Sequence, residues 1–109
     1  MTHKGTATFI AQRASAALLA PLAIWFLWGA VAHAGASYDD MRAWIAAPLT
    51  AAPMGLLIFV GAAHMRIGLD EIIDDYIDSG ARGVFKLLNL LASLGAAALG
   101  LWSLFVLSV

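Results

Sequence analysis

One segment near the middle of the chain places an imidazole, carboxylates and a phenol at the end of a long apolar stretch. At about 100° of rotation per residue, His64, Gly68, Glu71 and Asp75 fall on one face of a helix. A neutral imidazole such as that of His64 has a ring nitrogen that can ligate a metal or a haem iron. Tyr76 follows directly and can donate its phenol proton. The pattern therefore indicates a ligand within the helix and polar chemistry at its end.

Two glycines and the helical rise indicate where a bound group could lie and how deep His64 would be in a membrane. Gly61 and Gly68 lie about one turn below and above His64, so they remove side chains where a flat group such as a porphyrin would lie. At about 1.5 Å per residue, Asp75 lies roughly 16 Å from His64, which puts the imidazole deep in a bilayer and Asp75 near its surface. The alternative is a histidine that hydrogen-bonds a neighbouring helix and an acidic run that is merely solvated. Both interpretations stay open on the residues alone.

The composition excludes a soluble domain. Of 109 residues, 62% are hydrophobic and 12% are charged, and apolar segments that each cross about 30 Å of hydrocarbon leave no room for a soluble catalytic domain. The absence of cysteine excludes disulfides, thiolate catalysis and a cysteine-ligated iron–sulfur cluster held by this chain alone. The net charge of −1 and the lack of a glycine-rich phosphate loop argue against nucleic-acid and nucleotide binding.

The hydropathy pattern predicts an all-α membrane protein that forms one domain over residues 1–109. We expect three transmembrane helices, at about 13–33, 49–76 and 83–107, after a short cytosolic tail. Pro21 should kink the first helix, and Ser37 should cap a short interfacial helix that carries Trp44. A secretory signal peptide competes with the first span, but the apolar run is longer than usual for such a signal and two more spans follow.

The later helices carry further signals. The second helix should protrude from the hydrocarbon with five acids, namely Asp70, Glu71, Asp74, Asp75 and Asp78. Arg66 is best explained as an anchor whose side chain reaches the membrane surface, and it also lies one turn before Asp70, where the two could pair. The third helix has small residues at Ala92, Ala96 and Gly100, which predict a close-packing face. Asn89 is suited to a bond with a neighbouring helix and is given no function.

The basic residues predict the orientation. Five of them flank one side of the membrane and only Arg42 flanks the other, the five being Lys4, Arg13, Arg66, Arg82 and Lys86. By the positive-inside rule, the amino terminus and the end of the second helix should face the cytosol, and the carboxy terminus the periplasm.

The spacing of His64, Gly68, Asp75 and Tyr76 resembles the second transmembrane helix of the small membrane-anchor subunit of succinate dehydrogenase, respiratory complex II. The resemblance implies that His64 is an axial ligand of haem b and that Asp75 and Tyr76 lie beside the ubiquinone site. It covers the three-helix layout, although the third helix matches only in hydrophobicity.

The first helix is also similar to that family, in which an arginine is followed by small residues, as in the segment Gln12-Arg13-Ala14-Ser15-Ala16. The resemblance implies that Arg13 faces the haem propionates or the quinone pocket. The same haem would need a second histidine, and His3 and His33 are poorly placed for it. The family implies that a second, cytochrome b556-like anchor subunit supplies that histidine and completes the helical bundle.

The expected function is therefore the anchor subunit of succinate:quinone oxidoreductase in a bacterial inner membrane. The chain would bind haem b and help form the site where ubiquinone takes electrons from the iron–sulfur subunit, itself fed by a flavoprotein subunit. Asp74 and Asp78 are candidates for contact with the iron–sulfur subunit. The alternatives are a fumarate reductase anchor, or a non-catalytic three-span interaction or assembly protein without a cofactor.

Overall fold

The computed structural model describes residues 4–109, in which all regular structure is helical. Its four helices are α1 (Lys4–Ala32), α2 (Tyr38–Ala46), α3 (Pro48–Tyr76) and α4 (Arg82–Ser108). The bounds of α3 and α4 lie within one residue of the expected spans, whereas α1 begins at residue 4 instead of about 13. The segment before Arg13 contains no proline, so nothing in its backbone stops the helix from extending there. His3, which the sequence analysis judged poorly placed to supply the second haem histidine, lies outside the described residues.

α3 is the central helix. α1 and α4 both pack on α3, and within residues 4–109 the backbones of α1 and α4 do not come close to each other. The resulting bundle measures 50 by 26 by 23 Å. This arrangement leaves α3 flanked on two sides and open elsewhere.

α2 is the predicted short helix at one end of the bundle. The Ser37 hydroxyl caps it by accepting a hydrogen bond from the Asp40 amide at 3.1 Å. α2 then meets α3 at an angle of 78° across Ala47. The Trp44 ring lies against Gly29 of α1, where an added Cβ would approach Trp44 to 2.5 Å. The absence of a side chain at Gly29 therefore lets the Trp44 ring of α2 pack directly against α1.

The buried core lies between α3 and α4. It contains Thr50, Met54 and Val60 of α3 together with Asn89 and Ser93 of α4. Farther along α4, a Cβ added to Gly100 would lie 2.9 Å from Ile58 Cγ2.

The predicted packing face of α4 is only partly right. Gly100 does pack closely on α3, but Ala92 and Ala96 are exposed. Ser93 and Ala97 face α3 in their place. The true face is therefore rotated by one residue from the predicted one, about 100° around the helix.

Large apolar side chains cover the outer surface, with Trp28 81% and Leu49 90% exposed. By length and composition, Gly5–Ala32 and Arg82–Ser108 can each cross a membrane, and the number rises to three if α2 and α3 form one bent span. Such a surface is stable in lipid or against other membrane helices, not in water. The fold is that of an all-α membrane protein.

The charged residues gather at the end of the bundle where α3 stops and α4 begins. Asp74 forms ion pairs with Lys86 at 2.8 Å and Arg82 at 3.9 Å. Arg82 also donates to the Ile77 carbonyl at 2.7 Å, which places a cation at the carboxy-terminal end of α3. At the opposite end, Arg42 donates to the carbonyl of Val109. The fold thus places Arg42 at the opposite end of the bundle from Arg82 and Lys86.

Candidate haem and quinone site

The contact at the centre of the site joins α1 to α3. Ser15 Oγ lies 2.8 Å from His64 Nδ1, and both side chains are half-buried. Ser15 also donates its hydroxyl proton to the Gln12 carbonyl at 3.0 Å. His64 Nε2 has no hydrogen-bond partner among residues 4–109. One ring nitrogen is therefore held by α1, and the other remains available.

The two glycines that flank His64 face α1. A Cβ added to Gly68 would lie 3.0 Å from Gln12 Nε2, and one added to Gly61 would lie 3.9 Å from Leu19 Cδ2. α1 therefore occupies part of the space that the sequence interpretation reserved for a flat group. At Gly68 the neighbouring atom is the end of the flexible Gln12 side chain, which could shift to admit a Cβ.

A groove of about 450 Å³ runs along α3 from His64 towards the end of the helix. Its lining residues are Gln12, His64, Met65, Gly68, Leu69, Glu71, Ile72 and Asp75. All four residues that the helical periodicity placed on one face are among them. The groove therefore connects the half-buried imidazole to an exposed carboxylate.

Asp75 and Tyr76 lie at the mouth of this region with different orientations. Asp75 lines the groove and also a neighbouring polar cavity of about 540 Å³ that includes Arg82 and Lys86. Tyr76 is 83% exposed and is the last residue of α3. Because successive residues differ by about 100°, the phenol lies on a different side of the helix from Asp75. It does not line the groove.

Arg13 lies on the exposed surface of α1. Its guanidinium carbon is 5.1 Å from the centre of the Phe9 ring, a cation–π contact. It forms no ion pair with any acid in the described part of the chain. The structure thus leaves Arg13 outside the groove lining, with its charge uncompensated.

A family model described as succinate dehydrogenase/fumarate reductase transmembrane subunit matches residues 1–101. The chain belongs to this family. It is therefore a membrane subunit of a multi-subunit oxidoreductase complex, as the resemblance of the His64 segment indicated. No curated protein matches the sequence, and no solved structure matches it.

Two residues of this transmembrane subunit received no role from the sequence. Gln12 and Ser15 were noted only as part of the segment around Arg13, yet both contact the His64 region. Gln12 Oε1 is buried and has no hydrogen-bond partner among the described residues. The available signal was a pair of polar side chains three residues apart in the first half of α1, which places them on one face.

Other polar contacts limit what the site contains. The Asp70 carboxylate accepts a hydrogen bond from Asn89 at 2.8 Å, and Arg66 forms no ion pair with Asp70 in the described residues. The suggested pairing of Arg66 with Asp70 is therefore wrong, and the structure gives Asp70 an amide partner on α4 instead.

Within residues 4–109, no three His, Cys, Asp or Glu side chains are grouped to hold a metal ion. A single imidazole is the ligand that this region offers.

The second described histidine belongs to the opposite end of the bundle. His33 Nδ1 donates to the Gly29 carbonyl at 2.7 Å, and its ring stacks on Trp44 with centres 4.1 Å apart. Ser15 and His33 are separated by roughly 27 Å along α1. His33 is therefore part of the packing of α2, far from His64.

Proposed function

We propose that this chain is the small haem b-binding anchor subunit of a succinate:quinone oxidoreductase. The observation that carries the proposal is the groove that joins His64 to Asp75, with His64 Nε2 left without a partner. An imidazole within the apolar part of α3 suits a bound electron carrier, and a polar group at the end of the helix suits a quinone site. Membership of the family supplies the oxidoreductase complex in which they act.

The donor chemistry around His64 fits a haem. Histidine ligands commonly donate their second ring N–H to a neighbouring acceptor, which orients the ring, and Ser15 Oγ lies 2.8 Å from Nδ1, where such an acceptor would stand. Arg13 is exposed and free of acidic partners within the described residues, so its guanidinium suits a propionate. When bound, haem b supplies a one-electron carrier within the membrane. His33 lies far from His64, and a second anchor subunit would supply the other histidine that holds a haem.

Asp75 and Tyr76 are proposed to serve the quinone. Reduction of ubiquinone to ubiquinol consumes two electrons and two protons, so the site needs a hydrogen-bond donor and a route to water. Tyr76 donates its phenol proton to a quinone carbonyl oxygen. Asp75 is exposed at the mouth of the groove and exchanges protons with water in the manner of a general acid–base group.

The family resemblance implies the remaining subunits. Without cysteine this chain cannot bind an iron–sulfur cluster through thiolates. In the proposed complex an iron–sulfur subunit, itself fed by a flavoprotein subunit, supplies the electrons. We place the complex in a bacterial inner membrane, with the amino terminus and the Asp75 end cytosolic. Asp78 is exposed and suits contact with the iron–sulfur subunit, whereas Asp74 is already paired with Lys86. The family description leaves open the fumarate reductase direction.

Purification of the complex with its native partners tests the proposal. We expect a low-spin b-type haem spectrum that His64→Leu abolishes or strongly alters. His33→Leu is the matched control, because it removes an imidazole from the same chain far from the proposed site. An unchanged haem spectrum and redox potential in an assembled His64→Leu complex would exclude the assignment. A colourless assembly without a flavoprotein would favour the non-catalytic interaction protein.

A further inference from the structure

The hydrogen bonds of Ser15 determine which nitrogen of His64 carries the proton. A serine hydroxyl has one proton to donate and lone pairs with which to accept. Ser15 Oγ donates its proton to the Gln12 carbonyl at 3.0 Å, because a carbonyl can only accept. The contact of 2.8 Å between Ser15 Oγ and His64 Nδ1 is then a hydrogen bond only if Nδ1 is the donor.

We infer that Ser15 is a positioning residue that holds neutral His64 in its Nδ1–H tautomer. In this tautomer Nε2 carries the lone pair, and Nε2 is the nitrogen without a partner among residues 4–109. Ser15 thereby selects the nitrogen that is able to ligate iron, and it fixes the orientation of the ring from a neighbouring helix. The link to haem rests on the proposed function, whereas the tautomer itself does not.

Ser15 is well placed to keep this orientation constant. It lies within α1, and its bond to Gln12, three residues earlier, fixes the hydroxyl against its own helix. α1 packs on α3, and its Leu19 and Gln12 side chains lie near Gly61 and Gly68, on either side of the bond. The imidazole is therefore oriented before any cofactor binds, which reduces the ordering required on binding.

His33 provides an internal reference. Its Nδ1 lies 2.7 Å from the Gly29 carbonyl, which can only accept, so His33 must also carry its proton on Nδ1. This bond lies at the other end of α1 and does not involve Ser15. A change at Ser15 should therefore affect His64 and leave His33 unaffected.

The test is nitrogen NMR of the full-length chain in lipid nanodiscs without haem, with ¹⁵N in the histidine rings. At about pH 9, above the ordinary titration range of histidine, the wild type should show a single Nδ1–H form for His64, assigned by its loss in His64→Leu. Ser15→Ala should convert this signal to a mixture of both tautomers or to the Nε2–H form. Ser15→Thr, which retains a hydroxyl, should restore the Nδ1–H form. Ser103→Ala is the control, since it removes an exposed serine hydroxyl from α4.

The assembled complex provides a second readout. If His64 ligates haem, Ser15→Ala should change the haem redox potential and the low-spin electron paramagnetic resonance signal, and Ser15→Thr should return both towards the wild type. A wild-type His64 in the Nε2–H form, or a tautomer that Ser15→Ala leaves unchanged, would overturn the inference even if the complex binds haem normally. A Ser15-dependent tautomer in a complex whose haem does not depend on His64 would support the inference and reject the proposed ligand role.

Discussion

Asn89 of α4 donates its amide to the Asp70 carboxylate of α3 at 2.8 Å and to the Arg66 carbonyl at 2.9 Å. This buried amide also accepts from Ser93, at 3.4 Å. One side chain thus joins α4 to both the backbone and a side chain of α3. This connection lies near the acidic end of α3, where Asp74 forms its ion pair with Lys86.

We predict that Asn89→Ala destabilises the packing of α3 on α4 by about 1 to 2 kcal/mol, because it removes two hydrogen bonds and leaves the Asp70 carboxylate without its amide donor. Thermal unfolding of the purified chain in detergent measures the effect. Lys86→Ala should cost less, since it breaks a partly exposed ion pair that is worth at most about 1 kcal/mol. Equal losses for the two variants would contradict this order.

Gly100 should tolerate a methyl group poorly. An alanine Cβ there would lie 2.9 Å from Ile58 Cγ2, and this methyl group is attached directly to a β-branched carbon that is stiff in a helix. The overpacking cost of about 1 to 3 kcal/mol exceeds the helix-propensity gain of up to about 1 kcal/mol. We therefore predict that Gly100→Ala lowers the thermal stability of the chain.

Gly95→Ala is the matched control within the same helix. No described atom lies within 4 Å of a Cβ at Gly95, so the substitution gains propensity without a clash. It should leave stability unchanged or raise it. A loss of stability at Gly95 as large as that at Gly100 would show that the α3–α4 contact is not the cause.

The sequence predicted what lies within one helix better than how the helices face each other. His64 and Asp75 share a groove because eleven residues of helical rotation place them within about 20° of each other, whatever surrounds them. Hydropathy alone does not select the face of α1 that meets His64, because the helix after Ser15 is apolar on all sides. Ser15 is selected only by the tertiary contact. For the same reason the packing face of α4 was predicted one residue away from Ser93 and Ala97.

The membrane orientation follows from the position of the cations at the ends of the bundle. We predict a cytosolic amino terminus and a periplasmic carboxy terminus, because Arg82 and Lys86 lie at the opposite end from Arg42. Reporter fusions measure this directly. An alkaline phosphatase fusion at residue 109 should be active, and one at residue 80 should be inactive. The reverse pattern would invert the topology.

Tyr76 should matter for quinone reduction and not for the earlier electron-transfer steps. Its phenol is 83% exposed at the end of α3, so it has no role in packing this chain and is available to a ligand or a partner subunit. Tyr76→Phe keeps the ring and removes the donor. Loss of one hydrogen bond to a quinone oxygen that gains charge in the reaction should cost about 1 to 3 kcal/mol, or roughly tenfold to a hundredfold in turnover.

Two assays on the same membranes separate the quinone step from assembly. Succinate oxidation with a soluble dye that accepts electrons before the quinone site should survive Tyr76→Phe, because flavin and iron–sulfur chemistry would reside in other subunits. Quinone reduction should fall. Tyr38→Phe is the control, since Tyr38 is also exposed but lies at the start of α2, away from the groove. If Tyr76→Phe and Tyr38→Phe both retain full quinone reduction in an assembled complex, then Tyr76 is an interfacial aromatic anchor and the hydrogen-bond donor to the quinone lies elsewhere.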